Sequence, residues 1–171
     1  MPLKTPEEYL RSIRRDANLY MFGEKISEFW KHPYYKIIQP SINAAKKTYE
    51  LAQLDQYKHL MITKSHLTGE TINRFTHIHQ SVDDLIKKVE MQRLMGQKTA
   101  CCFQRCVGFD AANALYSVTW EIDKKQGTDY HERFKRYWSE VQRQDLFVAG
   151  SMTDPKGDRS KRPNKQTDPD A

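Results

Sequence analysis

Apolar residues recur every three to four positions along most of the chain, which is the spacing of a buried helical face. We predict four long helices: one from Ser41, one from Ser81 to about Gly96, one from about Thr99 to Lys125, and one capped by Thr128. Their apolar faces are Ile42, Ala45, Tyr49 and Ala52; Val82, Leu85, Ile86 and Val89; Phe103, Val107, Ala111, Ala114, Leu115, Val118 and Ile122; and Tyr130, Phe134, Tyr137, Trp138 and Val141. The pattern predicts a mainly α-helical fold with these faces in its core.

Shorter elements precede the long helices. The segment Thr5–Glu8 has the pattern of a capping box and predicts the start of a short helix. Residues Leu19–Ile26 predict a small β-hairpin with its turn at Gly23. Pro33 and Pro40 are expected in the loop that leads to the first long helix.

Length and composition restrict the class of protein. A chain of 171 residues with 38% apolar and 29% charged residues is long enough for one domain with its own core. No run approaches the roughly 20 apolar residues that cross a bilayer. The first ten residues lack the apolar core of a secretory signal. We therefore expect a cytoplasmic protein that does not associate with membranes.

The net charge of +6 raises the question of nucleic-acid binding. Such binding requires Lys and Arg gathered on one face, with aromatic side chains to stack on bases. Here acidic and basic residues alternate along the predicted helices, as in Asp83, Asp84, Lys87, Lys88 and Glu90. An anionic small ligand, such as a coenzyme A ester or a flavin phosphate, accounts for the basic excess equally well. We therefore favour a function without nucleic acid.

The character of the chain changes after Val148. Residues 152–159 are rich in turn formers, and Ser160–Ala171 contain no large apolar residue. We predict a helical domain over residues 1–150 and, over residues 151–171, the start of a further domain that this chain does not complete.

All three cysteines lie between positions 101 and 106. Cys102 and Cys106 are four residues apart, so a helix places both thiols on one face, whereas Cys101 points about 100° away. Such a pair can provide two thiolates to an iron–sulfur cluster, whose usual demand is four ligands. The alternative is that both are buried, reduced thiols.

A turn-forming segment with two cationic side chains follows the helices. Backbone N–H groups around Gly157, with Lys156 and Arg159 nearby, can hold a phosphate or the edge of a flavin. Without further information, an ordinary surface turn is the simpler interpretation. The segment comprises Met152, Thr153, Asp154, Pro155, Lys156, Gly157, Asp158 and Arg159.

Two histidines, His77 and His79, are two residues apart. On a strand they would face one side, an arrangement that suits a metal, whereas on a helix they would diverge. We favour hydrogen-bonded structural roles over metal binding.

Five segments, in this order, resemble the N-terminal part of the 4-hydroxybutyryl-CoA dehydratases (vinylacetyl-CoA isomerases), which belong to the wider 4-hydroxyphenylacetate 3-hydroxylase family. The likeness covers nearly the whole chain. The cysteine pair is its specific element, because the flavin-dependent aromatic hydroxylases of the wider family lack it. The segments are Ser65–Gly69, Ile72–Gln80, Gln97–Thr99, Cys102–Cys106 and Thr153–Arg159.

The resemblance implies an acyl-CoA dehydrogenase-like fold, in which a helical N-terminal domain precedes a β-domain and a C-terminal helical bundle, assembled as homotetramers. It implies FAD and a 4Fe–4S cluster held by three cysteines and one histidine. Cys102 and Cys106 match the first two cluster ligands, and Gln104 matches a residue that lines the active site. The segment Met152–Arg159 matches the first flavin-binding segment.

The reaction implied by the resemblance is the removal of water from 4-hydroxybutyryl-CoA to give crotonyl-CoA. The other cluster ligands of the family lie beyond position 171, so we expect no catalysis by this chain unless a C-terminal portion or a second chain supplies them. The alternatives are a component of a flavin-dependent aromatic hydroxylase and a non-catalytic helical fragment. Helices that normally pack on absent domains should expose apolar faces and promote self-association.

Overall fold

Six α-helices and two small β-hairpins make up the described part of the fold. The computed structural model describes residues 3–15, 17–100, 105–150, 157–158 and 160–166. The helices are α1 (Pro6–Ile13), α2 (Tyr35–Gln53), α3 (Asp55–Met61), α4 (Val82–Thr99), α5 (Arg105–Gln126) and α6 (Tyr130–Arg143); the strands are β1 (Leu19–Met21), β2 (Glu24–Ile26), β3 (Ile62–Lys64) and β4 (Thr71–Asn73). The prediction of a mainly α-helical fold with a small N-terminal β-hairpin is confirmed.

The N-terminal elements form as their sequences predict. The Thr5 hydroxyl accepts a hydrogen bond from the Glu8 N–H, and the Glu8 carboxylate accepts one from the Thr5 N–H, which completes the capping box of α1. Strands β1 and β2 pair antiparallel, with Phe22 and Gly23 at the turn. Both turn residues have positive φ, 50° and 83°, as a two-residue turn that matches the twist of a hairpin requires.

Helix α2 begins earlier than predicted. It starts at Tyr35 and includes Pro40, so the prediction of a start at Ser41 with Pro40 in the preceding loop is wrong. Pro40 lies in the second turn, where its ring removes one helical hydrogen bond. The Ile37 N–H donates to the Tyr34 carbonyl at 2.9 Å, so the first turn closes before the proline is reached.

The segment between α3 and α4 forms a second hairpin. Strands β3 and β4 pair antiparallel in the register Ile62 to Asn73, and Gly69 has a φ of 72° in the connection. The Ser65 hydroxyl accepts hydrogen bonds from the N–H groups of Leu67 and Thr68. Three-residue strands are too short for an alternating pattern to mark them in the sequence.

The boundaries of the later helices also differ from prediction. Helix α4 continues past Gly96 to Thr99 and ends at Ala100, whose φ is 51°. The Ser81 cap of α4 is confirmed, since its hydroxyl accepts from the Asp84 N–H. Thr128 does not cap α6: Asp123 of α5 accepts from the N–H groups at the start of α6 and from the Thr128 hydroxyl.

Much of the predicted core on α4 and α5 lies on the surface. Val82 of α4 is 72% exposed, and Leu115 and Val118 of α5 are each 49% exposed. Helix α4 instead buries Met91 and Met95, and α5 buries Arg105, Gly108, Phe109 and Ala112 near its start. The residues predicted to be core that are exposed are Val82, Leu85, Ile86, Val89, Ala111, Ala114, Leu115, Val118, Tyr130 and Tyr137. The periodicity identifies residues that share a face but not whether another element covers it.

Three apolar clusters hold the described residues together. One joins α2, α3 and α4 around Met61 and Met91; a second joins α5 and α6 around Trp138 and Ile78. A third joins α1 and α2, where the rings of Tyr9 and Tyr49 stack at 4.8 Å. Among these residues, no helix is both long and apolar enough to cross a membrane.

Candidate cofactor-binding site

Cys106 is the member of the predicted cluster-binding pair that the structure places. It follows Arg105 in the first turn of α5, is half-buried and packs against the cluster around Met91. Cys101, Cys102 and Gln104 lie outside the described residues. The helical spacing of Cys102 and Cys106 therefore stays a prediction.

The neighbour of Cys106 is a fully buried cation that sequence reasoning missed. Arg105 is 1% exposed, and its guanidinium lies among three aromatic rings, at 4.9 Å from Tyr49, 5.0 Å from Phe75 and 5.1 Å from Phe147. Cations bind well over such ring faces. Because the side chain enters from the first turn of α5, these contacts fix the position of the turn that carries Cys106.

Arg105 also joins α5 to two distant parts of the chain. It donates to the Thr48 hydroxyl at 2.9 Å and to the Leu146 carbonyl at 3.3 Å. Its Nη2 atom lies 3.9 Å from Oδ1 of Asp145, a carboxylate that is 5% exposed. In the sequence, the only available signal was an arginine on the side of α5 that carries Phe109 and Ala112.

Asp145 is held by contacts from several elements. Its Oδ2 atom accepts from the Lys4 N–H at 3.1 Å, and its backbone carbonyl accepts from the Tyr49 hydroxyl at 3.2 Å. Burial raises the pKa of Asp145, although Arg105 and Lys4 act in the opposite direction. Burial also raises the pKa of Tyr49 to about 12, so this hydroxyl stays a donor.

The segment that leads to the predicted flavin-binding residues packs directly on the start of α5. A Cβ atom on Gly108 would lie 2.7 Å from the carbonyl carbon of Val148 and still nearer its oxygen. A Cβ atom on Gly150 would lie 3.0 Å from Cβ of Val107 and still nearer Cγ1. Only glycine permits so close an approach at either position. Gly150 thus contacts the residue that follows Cys106, and the predicted flavin-binding segment begins two residues later in the chain.

Two residues of that segment, Gly157 and Asp158, lie in the described part of the structure. The Asp158 carboxylate accepts from the Ser160 N–H at 3.0 Å and from its hydroxyl at 2.6 Å, and these hydrogen bonds lower the pKa of Asp158. The Asp158 carbonyl accepts from the Lys161 N–H at 2.9 Å. These contacts belong to a local turn. Met152, Thr153, Asp154, Pro155, Lys156 and Arg159 lie outside the described residues.

The two histidines lie on an extended segment after β4. His77 is buried, and its Nε2 lies 3.2 Å from Oδ1 of Asp84. Asp84 also accepts from Arg74, a buried side chain that donates to the carbonyls of His59, Leu60 and Ile62. Burial would raise the pKa of Asp84, but hydrogen bonds from the Gln80 N–H, His77 and Ser81 lower it to about 2.

This arrangement favours the structural interpretation of His77. Burial lowers the pKa of both His77 and His79, and the rings are 6.5 Å apart. Within the described residues, no group of three or more His, Cys, Asp or Glu side chains can hold a metal. The His77–Asp84–Arg74 network instead fixes the end of α3 against the start of α4.

Known proteins resemble the whole of this chain. The family model described as 4-hydroxyphenylacetate 3-hydroxylase N terminal matches residues 5–171. The 4-hydroxybutyryl-CoA dehydratase/vinylacetyl-CoA-Δ-isomerase of Clostridium aminobutyricum is 59% identical over 98% of this chain and 34% of the relative. The oxygenase component of the 4-hydroxyphenylacetate 3-monooxygenase of Geobacillus sp. (strain PA-9) is 21% identical over 99% of this chain and 34% of its own length.

Solved structures agree with these matches. An oxygen-tolerant archaeal 4-hydroxybutyryl-CoA dehydratase from N. maritimus superposes with a TM-score of 0.83 at 49% identity, over 99% of this chain and 33% of its own. The oxygenase component of a 4-hydroxyphenylacetate 3-monooxygenase, complexed with FAD and 4-hydroxyphenylacetate, superposes with a TM-score of 0.64 at 18% identity, over 97% of this chain and 33% of its own. At that lower identity the likeness shows the fold alone.

The matches confirm the family predicted from the sequence. They also show that this chain spans about a third of the length of the relatives it matches. Since the family model covers all but the first four residues, the assignment does not rest on an isolated motif. The chain belongs to the 4-hydroxyphenylacetate 3-hydroxylase N-terminal family.

Proposed function

We propose that this chain is the N-terminal portion of a 4-hydroxybutyryl-CoA dehydratase that depends on FAD and a 4Fe–4S cluster. The observation that carries the proposal is the 59% identity to the Clostridium enzyme over 98% of this chain. Because the chain spans 34% of that relative, the conversion of 4-hydroxybutyryl-CoA to crotonyl-CoA requires a longer assembly. We infer that residues 1–150 are a helical domain and that residues 151–171 begin a β-domain of an acyl-CoA dehydrogenase-like fold.

The donor chemistry of the chain fits part of a cluster site. Thiolates are the usual ligands of iron–sulfur clusters, and Cys106 is a free, half-buried thiol on a well-packed helix turn. In the proposal Cys102 and Cys106 bind two of the four positions, and the rest of the assembly supplies the others. When bound, the cluster would supply a Lewis acid for the leaving hydroxyl group, and the flavin would supply one-electron redox chemistry.

Other residues of this chain would orient the substrate and the flavin. The resemblance to the dehydratases implies that Gln104, which lies between the two cysteines in sequence, would line the active site. The segment Met152–Arg159 would hold the flavin through backbone N–H groups and through Lys156 and Arg159. The contact between Gly150 and Val107 supports this arrangement, because Gly150 precedes the flavin segment by two residues and Val107 follows Cys106.

Arg105 is the positioning residue of this site. It contacts neither substrate nor cofactor in the proposal, but its guanidinium holds Leu146 and Asp145 beside the turn that carries Cys106. A fixed separation between two cofactor-binding segments matters because reacting groups must be held within a fraction of an ångström of their productive geometry.

The test is purification without oxygen of this chain together with the portion that corresponds to the remaining two-thirds of its relatives. Visible spectra should show flavin bands and broad iron–sulfur absorption, and analysis should find iron and sulfide. Cys102→Ser and Cys106→Ser should each lose most of the iron, whereas Cys101→Ser, the matched control, should retain it. A colourless assembly, or iron that survives Cys106→Ser, would contradict the proposal.

The rival function is a component of a flavin-dependent aromatic hydroxylase. Relatives of that class are 21% and 22% identical to this chain, which is too distant to carry their activity over. Oxygen-dependent hydroxylation of a phenol by the same assembly, with no conversion of 4-hydroxybutyryl-CoA, would favour it.

A further inference from the structure

A polar cleft lies between α5, α6 and the turn of the second hairpin. Its volume is about 560 Å³, and its walls include His66, Tyr116, Lys135, Arg136, Ser139 and Arg143. Three of these side chains are cations, and all three come from one helix, α6. None of the residues named above for the cluster or the flavin lines this cleft.

The cleft keeps an excess of positive charge. Lys135 pairs with Glu132 at 2.5 Å, and Arg143 lies 4.0 Å from Glu70. Arg136 is exposed and forms no ion pair with any residue in the described part of the chain. One cation is therefore free for a ligand, while the other two add to the local positive potential.

Uncharged polar groups of the cleft also have unused hydrogen-bonding capacity. The side chains of His66, Tyr116 and Ser139 form no hydrogen bond to any described residue. The ring of Tyr116 contacts the rings of His66 at 5.7 Å and of His131 at 4.6 Å, both edge to face. Two hydroxyl groups, an imidazole and a free guanidinium thus converge beside an aromatic surface, which suits phosphates joined to a heterocyclic base.

The distance from this cleft to the cysteine turn fits one such ligand. Tyr116 follows Cys106 by ten residues on the same helix, which is about 15 Å along its axis at 1.5 Å per residue. The extended pantetheine arm that joins the nucleotide of coenzyme A to its thioester has a comparable length. A nucleotide in the cleft would therefore allow the acyl group to reach the turn that carries Cys106.

We propose that this cleft binds the phosphate-bearing nucleotide of the acyl-CoA substrate, an inference that rests on the proposed function. An adenine nucleotide with a diphosphate also occurs in FAD. Coenzyme A is favoured because its third phosphate, on the ribose, suits a cleft with three cationic side chains.

Calorimetric titration of the full 171-residue chain tests the site without any cofactor or catalysis. The ligands are coenzyme A, dephospho-coenzyme A, 3′,5′-ADP and FAD, at low and moderate salt. Arg136→Ala should weaken coenzyme A binding about tenfold, which is the loss of one charge-assisted hydrogen bond. Arg93→Ala is the matched control, because Arg93 is an exposed arginine of α4 with no ion pair among the described residues.

Each outcome decides the proposal. The proposal is supported if coenzyme A and 3′,5′-ADP bind, and if dephospho-coenzyme A, which lacks the ribose phosphate, binds more weakly. Arg136→Ala should also weaken the binding of coenzyme A, whereas Arg93→Ala should not. FAD and dephospho-coenzyme A binding as tightly as coenzyme A would overturn it in favour of a flavin nucleotide site. Absence of binding, or equal effects of Arg136→Ala and Arg93→Ala, would also overturn it. A colourless assembly in the cofactor test would contradict the proposed function without changing any of these titrations.

Discussion

The two halves of α5 share one helical geometry and differ in what lies against them. The first half buries Arg105, Gly108, Phe109 and Ala112, and its Arg105 and Gly108 contact the segment that contains Leu146 and Val148. The second half carries Leu115 and Val118, each 49% exposed, on the face with the clearest apolar pattern. The buried half thus contains a charged side chain and a glycine, whereas the apolar face lies in contact with solvent.

This difference separates residues that hold the fold from residues available to another surface. In the first half, the position of each side chain follows from contacts within this chain. The second half and the start of α4 expose apolar residues that isolated domains normally cover. The chain spans about a third of the length of the relatives it matches.

The largest expected effect on stability comes from replacing Arg105, the buried cation in the first half of α5. Arg105→Met should lower the free energy of unfolding by about 3–5 kcal/mol, because it leaves the buried Asp145 without its charged neighbour. Urea unfolding measures the change, with Arg93→Met as an exposed control. Adding Asp145→Asn to Arg105→Met should restore part of the loss. Equal urea midpoints for the two arginine variants would refute the role assigned to Arg105.

A smaller effect tests the close approach of the two segments. Gly108→Ala places a Cβ atom against the Val148 carbonyl and should lower the free energy of unfolding by about 1–3 kcal/mol. Gly96→Ala is the matched control, because nothing lies within 4 Å of a Cβ there, and a helical alanine should stabilise by about 0.5–1 kcal/mol. Changes of the same sign in both variants would show that Val148 does not pack as described.

Helix α4 also has a buried and an exposed side: Asp84 lies on its inner side, and Val82 is exposed on its outer side. The pKa of Asp84 in the folded chain is about 2, below its ordinary 3.8. The stabilisation is therefore complete above about pH 4 and is lost as the pH falls toward 2, by on the order of 2 kcal/mol. Asp84→Asn should remove this acid-dependent step from unfolding curves measured between pH 6 and pH 2. An unchanged step would assign it to another carboxylate.

The smallest effect on stability is expected in the second half of α5. Leu115→Lys and Val118→Lys should change the free energy of unfolding by less than about 0.5 kcal/mol, because both side chains are half exposed. The same changes should reduce self-association of the chain, measured by sedimentation over a range of concentrations. A parent chain that sediments as a monomer at every concentration would rule out association through these faces.

Local rules of the sequence predicted the elements whose signals are short-range. The capping box at Thr5, the turn at Gly23 and the Ser81 cap each depend on residues within three or four positions, so they follow from the sequence without knowledge of packing. The start of α2 could not be predicted in this way, because Pro40 in a second turn is compatible with a helix only if the surrounding turns are held by contacts. The three-residue strands of the second hairpin carry too few residues for a pattern.

The sequence by itself determined the helical class of this protein and its family, because periodicity, caps and motif order are properties of neighbouring residues. Only the tertiary structure decided which helical faces are covered, that Arg105 is buried among three rings, and that Gly150 meets Val107 beside Cys106. Each of these depends on residues far apart in the sequence: Arg105 and Phe75, for example, are 30 positions apart. A helical period cannot predict such contacts, since it specifies the direction of a side chain and not the residue that packs against it.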